Sequence, residues 1–120
     1  MSQKDIKNLK FASTLKYHIT QIIQKELSDP RIGFITITNV KISSDRKYAT
    51  VYISTLGDEK QKKESLKGLT NASGFIRHIL SKSIKSRVTP EIEFVEDRNP
   101  ATKIEEILKE IETEGKDNEA

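Results

Sequence analysis

Between Ser65 and Pro90 the chain carries Lys67, Arg77, Lys82, Lys85 and Arg87 and not one Asp or Glu. Five cations without a counter-charge in one stretch are suited to holding an anion. The polyanions that such a surface attracts are nucleic acids and acidic membrane faces. Within the stretch stands Ala72-Ser73-Gly74. A glycine inside a helical pattern costs about 1 kcal/mol relative to alanine, so its presence points to a kink or a close backbone approach. If a new helix starts at Gly74, the N–H groups of its first turn and the Ser73 hydroxyl face any phosphate there, and Arg77 follows one turn later. The candidate binding residues are therefore Ser73, Gly74, Arg77, Lys82, Lys85 and Arg87, helped by Arg31, Arg46 and Lys47 from earlier turns. The competing reading of the same spacing is a solvated basic helix face.

Catalytic chemistry has little support. His18 and His78 stand sixty positions apart without evident partners, and a lone helical histidine is more often structural or solvated than catalytic. Asp29, Asp45 and Asp97 fall where elements end, the usual place for carboxylates that cap helices and close turns. With no cysteine there is no thiolate zinc site and no cysteine nucleophile. A phosphate-cradling glycine loop, a nucleophile elbow and metal-ligand spacing are all missing. No catalytic residue, metal or cofactor is expected. Aromatic platforms for stacking bases are also scarce: Tyr17, Tyr48, Tyr52 and Phe75 are the candidates, so contact to phosphate and to RNA shape should dominate.

The charges are sorted along the chain. Residues 1–89 hold 17 Lys and Arg against 7 Asp and Glu, whereas residues 90–120 hold 4 against 11. Lysines interrupt the first thirty residues, which argues against a secretory signal, and no run approaches the roughly 18 apolar residues of a membrane span. A cytoplasmic protein with no membrane attachment is expected. The 120 residues suit one domain. Leu, Ile, Val and Phe supply 32 of them, enough for an aliphatic core.

The elements that must position the basic stretch follow from apolar spacing. Leu9, Ala12, Leu15, Ile19, Ile22, Ile23 and Leu27 recur at three and four and predict a helix ended by Ser28-Asp29-Pro30. Residues 34–43 and 48–55 are rich in Ile, Val and Thr and read as a hairpin around the turn at 43–47, with a bulge near Asn39 where the apolar phase slips. Leu66, Leu69, Ala72, Ile76, Ile79, Leu80 and Ile84 predict a second helical stretch, divided at Gly74 into two. After Thr89-Pro90, residues 91–95 alternate as a third strand. Ile104, Ile107, Leu108 and Ile111 outline a short acidic helix. The expected architecture is an α+β domain over residues 1–100, with helices on one face of a three-stranded mixed sheet, followed by an acidic tail at 101–120.

Taken together, Asp29-Pro30-Arg31, the segment from Val40 to Ser54 with Asp45, Ala49, Val51 and Tyr52, Ala72-Ser73-Gly74 with Arg77, and Arg87, Pro90, Phe94 and Asp97 resemble the ribosome-binding factor A family of bacteria. The resemblance covers about residues 6–111. It implies a type II KH-like fold whose third strand lies beside the first and parallel to it. It also implies an Ala-x-Gly kink in place of the Gly-x-x-Gly loop with which KH domains clamp nucleotides. For function it implies a non-enzymatic monomer that binds the small ribosomal subunit and its RNA during late maturation. Processing of the RNA's 5′ end, adaptation to cold and an assembly GTPase as a further partner belong to the same expectation. The family pattern leads one to expect Ser near position 99, where this chain has Asn. Two other readings fit the residues: a generic single-stranded RNA module of KH type, and an adaptor whose basic body meets the acidic tail of a neighbour.

Overall fold

The computed structural model describes residues 2–97, so the expected acidic helix at 101–120 lies outside the described residues. Helix α1 (Gln3–Glu26) opens with a reciprocal cap: the Ser2 hydroxyl accepts from the Asp5 N–H at 3.1 Å, and the Asp5 carboxylate accepts from the Ser2 N–H at 3.3 Å. Two donors that the first turn leaves over are thereby satisfied. Along the helix Ala12, Leu15, Ile19 and Ile22 are buried on one face.

Strands β1 (Ile35–Ile42) and β2 (Tyr48–Thr55) form the expected antiparallel hairpin. The register shifts between Ile37 and Asn39, and this bulge allows both Ile37 and Val40 to face the core although they are three residues apart. The Thr38 hydroxyl donates to the Asp97 carboxylate at 2.8 Å, with the Tyr52 carbonyl at 3.3 Å, so the last described residue is tied back across the sheet. In the connecting turn the Asp45 carboxylate accepts from the Ser43 hydroxyl at 2.7 Å and from the Lys47 N–H at 3.0 Å. These two bonds hold its carboxyl below the usual carboxylate range.

Helix α2 (Glu59–Ser83) is capped by Asp58 and Gln61 in the same reciprocal manner as α1. It runs through Gly74 as a single helix of 25 residues, and the expected division into two helices does not occur. Leu69 before the glycine and Ile76 and Leu80 after it are all fully buried on one face. Packing on both sides thus outweighs the roughly 1 kcal/mol that one glycine costs a helix.

Strand β3 (Glu91–Glu96) pairs with β2 in parallel, and the sheet order is β1-β2-β3. The third strand was expected beside the first. It lies instead on the other side of β2, because α1 packs over β1 while α2 packs over β3, and the crossover through α2 returns the chain to the open edge of β2. The α+β class, the element order and the mixed three-stranded sheet are otherwise as expected. Between the helices and the sheet lies one aliphatic core in which Leu15, Ile19, Val51, Ile53, Leu69, Ile76 and Leu80 are wholly shielded from solvent.

Candidate nucleic-acid interface

Helix α2 buries one face and turns the other to solvent. Seven residues on the outer face follow one another at spacings of three and four: Lys60, Lys63, Lys67, Asn71, Gly74, His78 and Lys82, and all of them are exposed. Such spacing places them in a continuous stripe along the helix. Glu64, exposed between Lys60 and Lys67, is the one acidic residue on this face, and none of the stripe's lysines forms an ion pair within the described residues. Each end is cationic and the centre is small and neutral. A side chain added at Gly74 would meet nothing within 4 Å. The glycine therefore meets no steric need of this chain, and it leaves the helix backbone open to whatever lies against it.

Of the residues that the sequence singled out, Gly74 and Lys82 lie in this stripe. Lys85 and Arg87 follow in the exposed segment beyond the helix end. Ser73, next to Gly74 in sequence but turned off the stripe, is half-buried, and its hydroxyl donates to the Thr70 carbonyl at 2.8 Å. Because the helix does not restart at Gly74, its backbone offers no free N–H groups there; that part of the expectation is corrected. Lys60 and Lys63 were overlooked because the acid-free window begins at Ser65. The signal was present as helical spacing from Lys60 through Lys67 to Lys82, and Glu64, which breaks the run in sequence, stands within the stripe between Lys60 and Lys67 as its one acidic member.

Three of the arginines, Arg77, Arg46 and Arg31, are spent on the fold. Arg77 donates from Nε and Nη2 to the Thr89 carbonyl at 3.1 and 3.0 Å, with Glu91 Oε1 4.0 Å from Nη1. It thus fixes the segment that leads into β3. Arg46 adopts a left-handed φ of 60°, uncommon outside glycine. Its guanidinium lies 4.5 Å from the centre of the Phe11 ring and its Nε donates to Asn8 Oδ1 at 2.9 Å. The hairpin turn is pinned to α1 by these contacts, while the neighbouring Lys47 side chain remains exposed. Arg31 forms a two-pronged pair with Asp29, Nη2 to Oδ2 being 2.6 Å. Hydrogen bonds from the Arg31 side chain and N–H hold the Asp29 carboxyl below its ordinary range, and the pairing raises the Arg31 guanidinium.

This Asp29-Pro30-Arg31 turn is in turn seated on α2. The buried Ser65 hydroxyl accepts from the Gly33 N–H at 3.1 Å, with the Arg31 carbonyl at 3.3 Å. One turn further, Gly68 is buried against Ile32, and a Cβ there would come within 2.8 Å of Ile32 Cγ1. The two helix glycines should therefore respond oppositely to alanine. Gly74→Ala is expected to stabilise the fold by up to about 1 kcal/mol from helix propensity. Gly68→Ala is expected to destabilise it, since crowding costs of about 1–3 kcal/mol exceed the same propensity gain. Urea unfolding of both variants checks the signs; stabilisation by Gly68→Ala would show that the turn yields freely.

Among the described residues no group of His, Asp and Glu is arranged to hold a metal ion, and no helix is long and apolar enough to cross a membrane. His18 packs edge-on against Tyr17, ring centres 5.3 Å apart, and His78 is exposed on the stripe.

Comparison with known proteins connects this geometry to a family. The family model for ribosome-binding factor A matches residues 7–110. Among solved structures the chain is similar to the solution structure of a Thermotoga maritima protein described as a candidate ribosome binding factor A. The two are 36% identical, with 75% of this chain and 86% of that one covered at a TM-score of 0.68. It is also similar to the crystal structure of ribosome-binding factor A from Thermus thermophilus, at 26% identity, 74% and 93% coverage and a TM-score of 0.67. A homology model of the Thermus thermophilus factor fitted into an electron cryo-microscopy map of a 30S complex matches at 28% identity, 72% and 90% coverage and a TM-score of 0.60.

Proposed function

The chain belongs to the ribosome-binding factor A family, and from that footing we propose that it binds the small ribosomal subunit by laying the outer face of α2 along RNA backbone during late maturation. The observation that carries this reading is the predominantly cationic stripe from Lys60 to Lys82, in which four lysines stand against the single carboxylate of Glu64, with unpaired lysines at both ends and open space at Gly74. Lysines on such a stripe neutralise phosphates and release counterions, which supplies affinity without base recognition. The bare backbone at Gly74 lets the sugar-phosphate chain approach more closely than any side chain would allow. The Thermus thermophilus relative fitted into a map of the 30S complex supports a small-subunit partner.

Lys85, Arg87 and Lys47 extend the cationic surface in this proposal. Arg31, Arg46 and Arg77 act chiefly by fixing the turns around it, and Ser73, turned off the stripe with its hydroxyl on the Thr70 carbonyl, contributes to the helix and not to the contact. The protein works as a cytoplasmic monomer and needs no turnover. A binder shifts an RNA equilibrium through differential affinity for its conformations, so it can hold an immature conformation and leave when the subunit matures. Linkage to processing of the RNA's 5′ end, to growth in the cold and to an assembly GTPase completes the proposal.

Co-sedimentation with immature and mature small subunits, alongside homopolymer RNA, tests it. The expected result is preference for immature subunits, together with accumulation of unprocessed small-subunit RNA and slow growth in the cold when the protein is removed. Homopolymer binding as tight as subunit binding would replace this reading with that of a generic single-strand module.

A further inference from the structure

At one end of the sheet two large apolar side chains are left in water. Phe34 is 78% and Leu56 72% exposed, and they are neighbours, since the Leu56 N–H donates to the Phe34 carbonyl at 3.2 Å. Beside them opens a cleft of about 190 Å³ lined by Ile23, Leu27, Ile32, Phe34 and Ile35. An apolar patch of this kind on a small domain marks a surface that something covers.

The described chain ends at the same place. Glu96 is in register with Ile53, the Asp97 N–H donates to the Ile53 carbonyl at 2.7 Å, and Thr55, two residues further along β2, is in register with Ile35. Asp97 is therefore about two strand spacings, roughly 10 Å, from the start of β1. Six residues separate it from Ile104 and can span up to about 20 Å. From there Ile104, Ile107, Leu108 and Ile111 recur at helical spacing. The family model continues through residue 110, well past the last strand.

Charge agrees with the apolar match. Glu105, Glu106, Glu110 and Glu112 are interleaved with these apolar positions, while α2 begins three residues after Leu56 and carries Lys60, Lys62 and Lys63 in its first turns. Lys62 already faces the end of β3, with Nζ 3.9 Å from Glu96 Oε1.

We infer that residues 104–111 fold back onto this end of the domain, with Ile104, Ile107, Leu108 and Ile111 over Phe34, Leu56 and the cleft and the glutamates toward the first lysines of α2. The docked segment completes the core at its open end and brings acidic side chains beside Lys60 and Lys63. The inference stands on the patch and the tail sequence and is independent of RNA binding.

The absence of cysteine from the whole chain makes a clean test. In the full-length protein Leu56→Cys with Leu108→Cys should oxidise at micromolar concentration to an intramolecular disulfide, read as a monomer of shifted mobility. Closure should be at least tenfold faster than in a control pairing Ser44→Cys with Leu108→Cys, since Ser44 is in the exposed turn at the far end of the hairpin. Adding Ile107→Glu to the first pair should remove that advantage. Positions 44 and 56 are exposed, so their replacement leaves the core intact. Equal rates for the two pairs, or an advantage that survives Ile107→Glu, would overturn the inference. Products that are mainly dimers would assign the patch to a second copy and overturn it equally.

Discussion

Replacing Lys60, Lys63, Lys67 and Lys82 together by alanine is expected to flatten the log–log dependence of small-subunit affinity on salt by about 3 units, at roughly 0.7 for each phosphate no longer neutralised. All four side chains are exposed and none is ion-paired within the described residues. Alanine is the strongest helix former, so α2 keeps its geometry and the change reports charge alone. Affinity should fall most at low salt and converge with that of the unmodified protein as salt rises, because screening removes the same contribution. An unchanged slope would take the outer face of α2 out of the interface. Arg77→Ala is the instructive companion: its donors already serve the Thr89 carbonyl, so it should lower stability more than it alters the salt slope.

The largest expected loss of stability comes from Ile53→Ala, at about 2–5 kcal/mol. Ile53 is fully buried on the central strand, opposite Ile37 of β1 and Glu96 of β3. Removing its branched end leaves a void that neither neighbouring strand can enter without giving up its own ladder. In urea the midpoint should drop with little change in slope. A loss below about 1 kcal/mol would mean that α1 and α2 settle into the space, and that the two layers are less rigidly spaced than their packing implies. The two experiments separate opposite failures: the lysine variant stays folded and loses its grip, and the Ile53 variant keeps its charge and loses its fold.

Apolar spacing made both helices, the hairpin, the bulge near Asn39 and the third strand legible from the sequence alone, because burial on one face leaves a period in the chain. Two features escaped it. The continuity of α2 through Gly74 depends on Leu69, Ile76 and Leu80 sharing one core, a tertiary fact that outranks local propensity. The place of β3 beside β2 depends on which helix covers which strand, and neither pattern nor turn residues encode that.

A similar division runs through the candidate site. Residues that carry the family resemblance prove to be fasteners: Asp29 and Arg31 on each other, Asp45 in its turn, Arg77 on Thr89, Asp97 on Thr38. The lysines of the stripe are individually ordinary. They become a surface only when Lys60, Lys63, Lys67 and Lys82 are projected onto one helix, and a window chosen by the absence of acids cut that stripe in half.

The extra residue at Thr38 also bears on what this molecule avoids. Among the described residues β1 has a neighbour on only one side, and a straight row of unused amide and carbonyl groups would invite another polypeptide to add itself there. The irregularity between Ile37 and Asn39 throws that row out of step near its midpoint, so an incoming strand finds matching partners for only a few residues before losing alignment. The bulge thereby guards an isoleucine-rich chain against fibrous self-association.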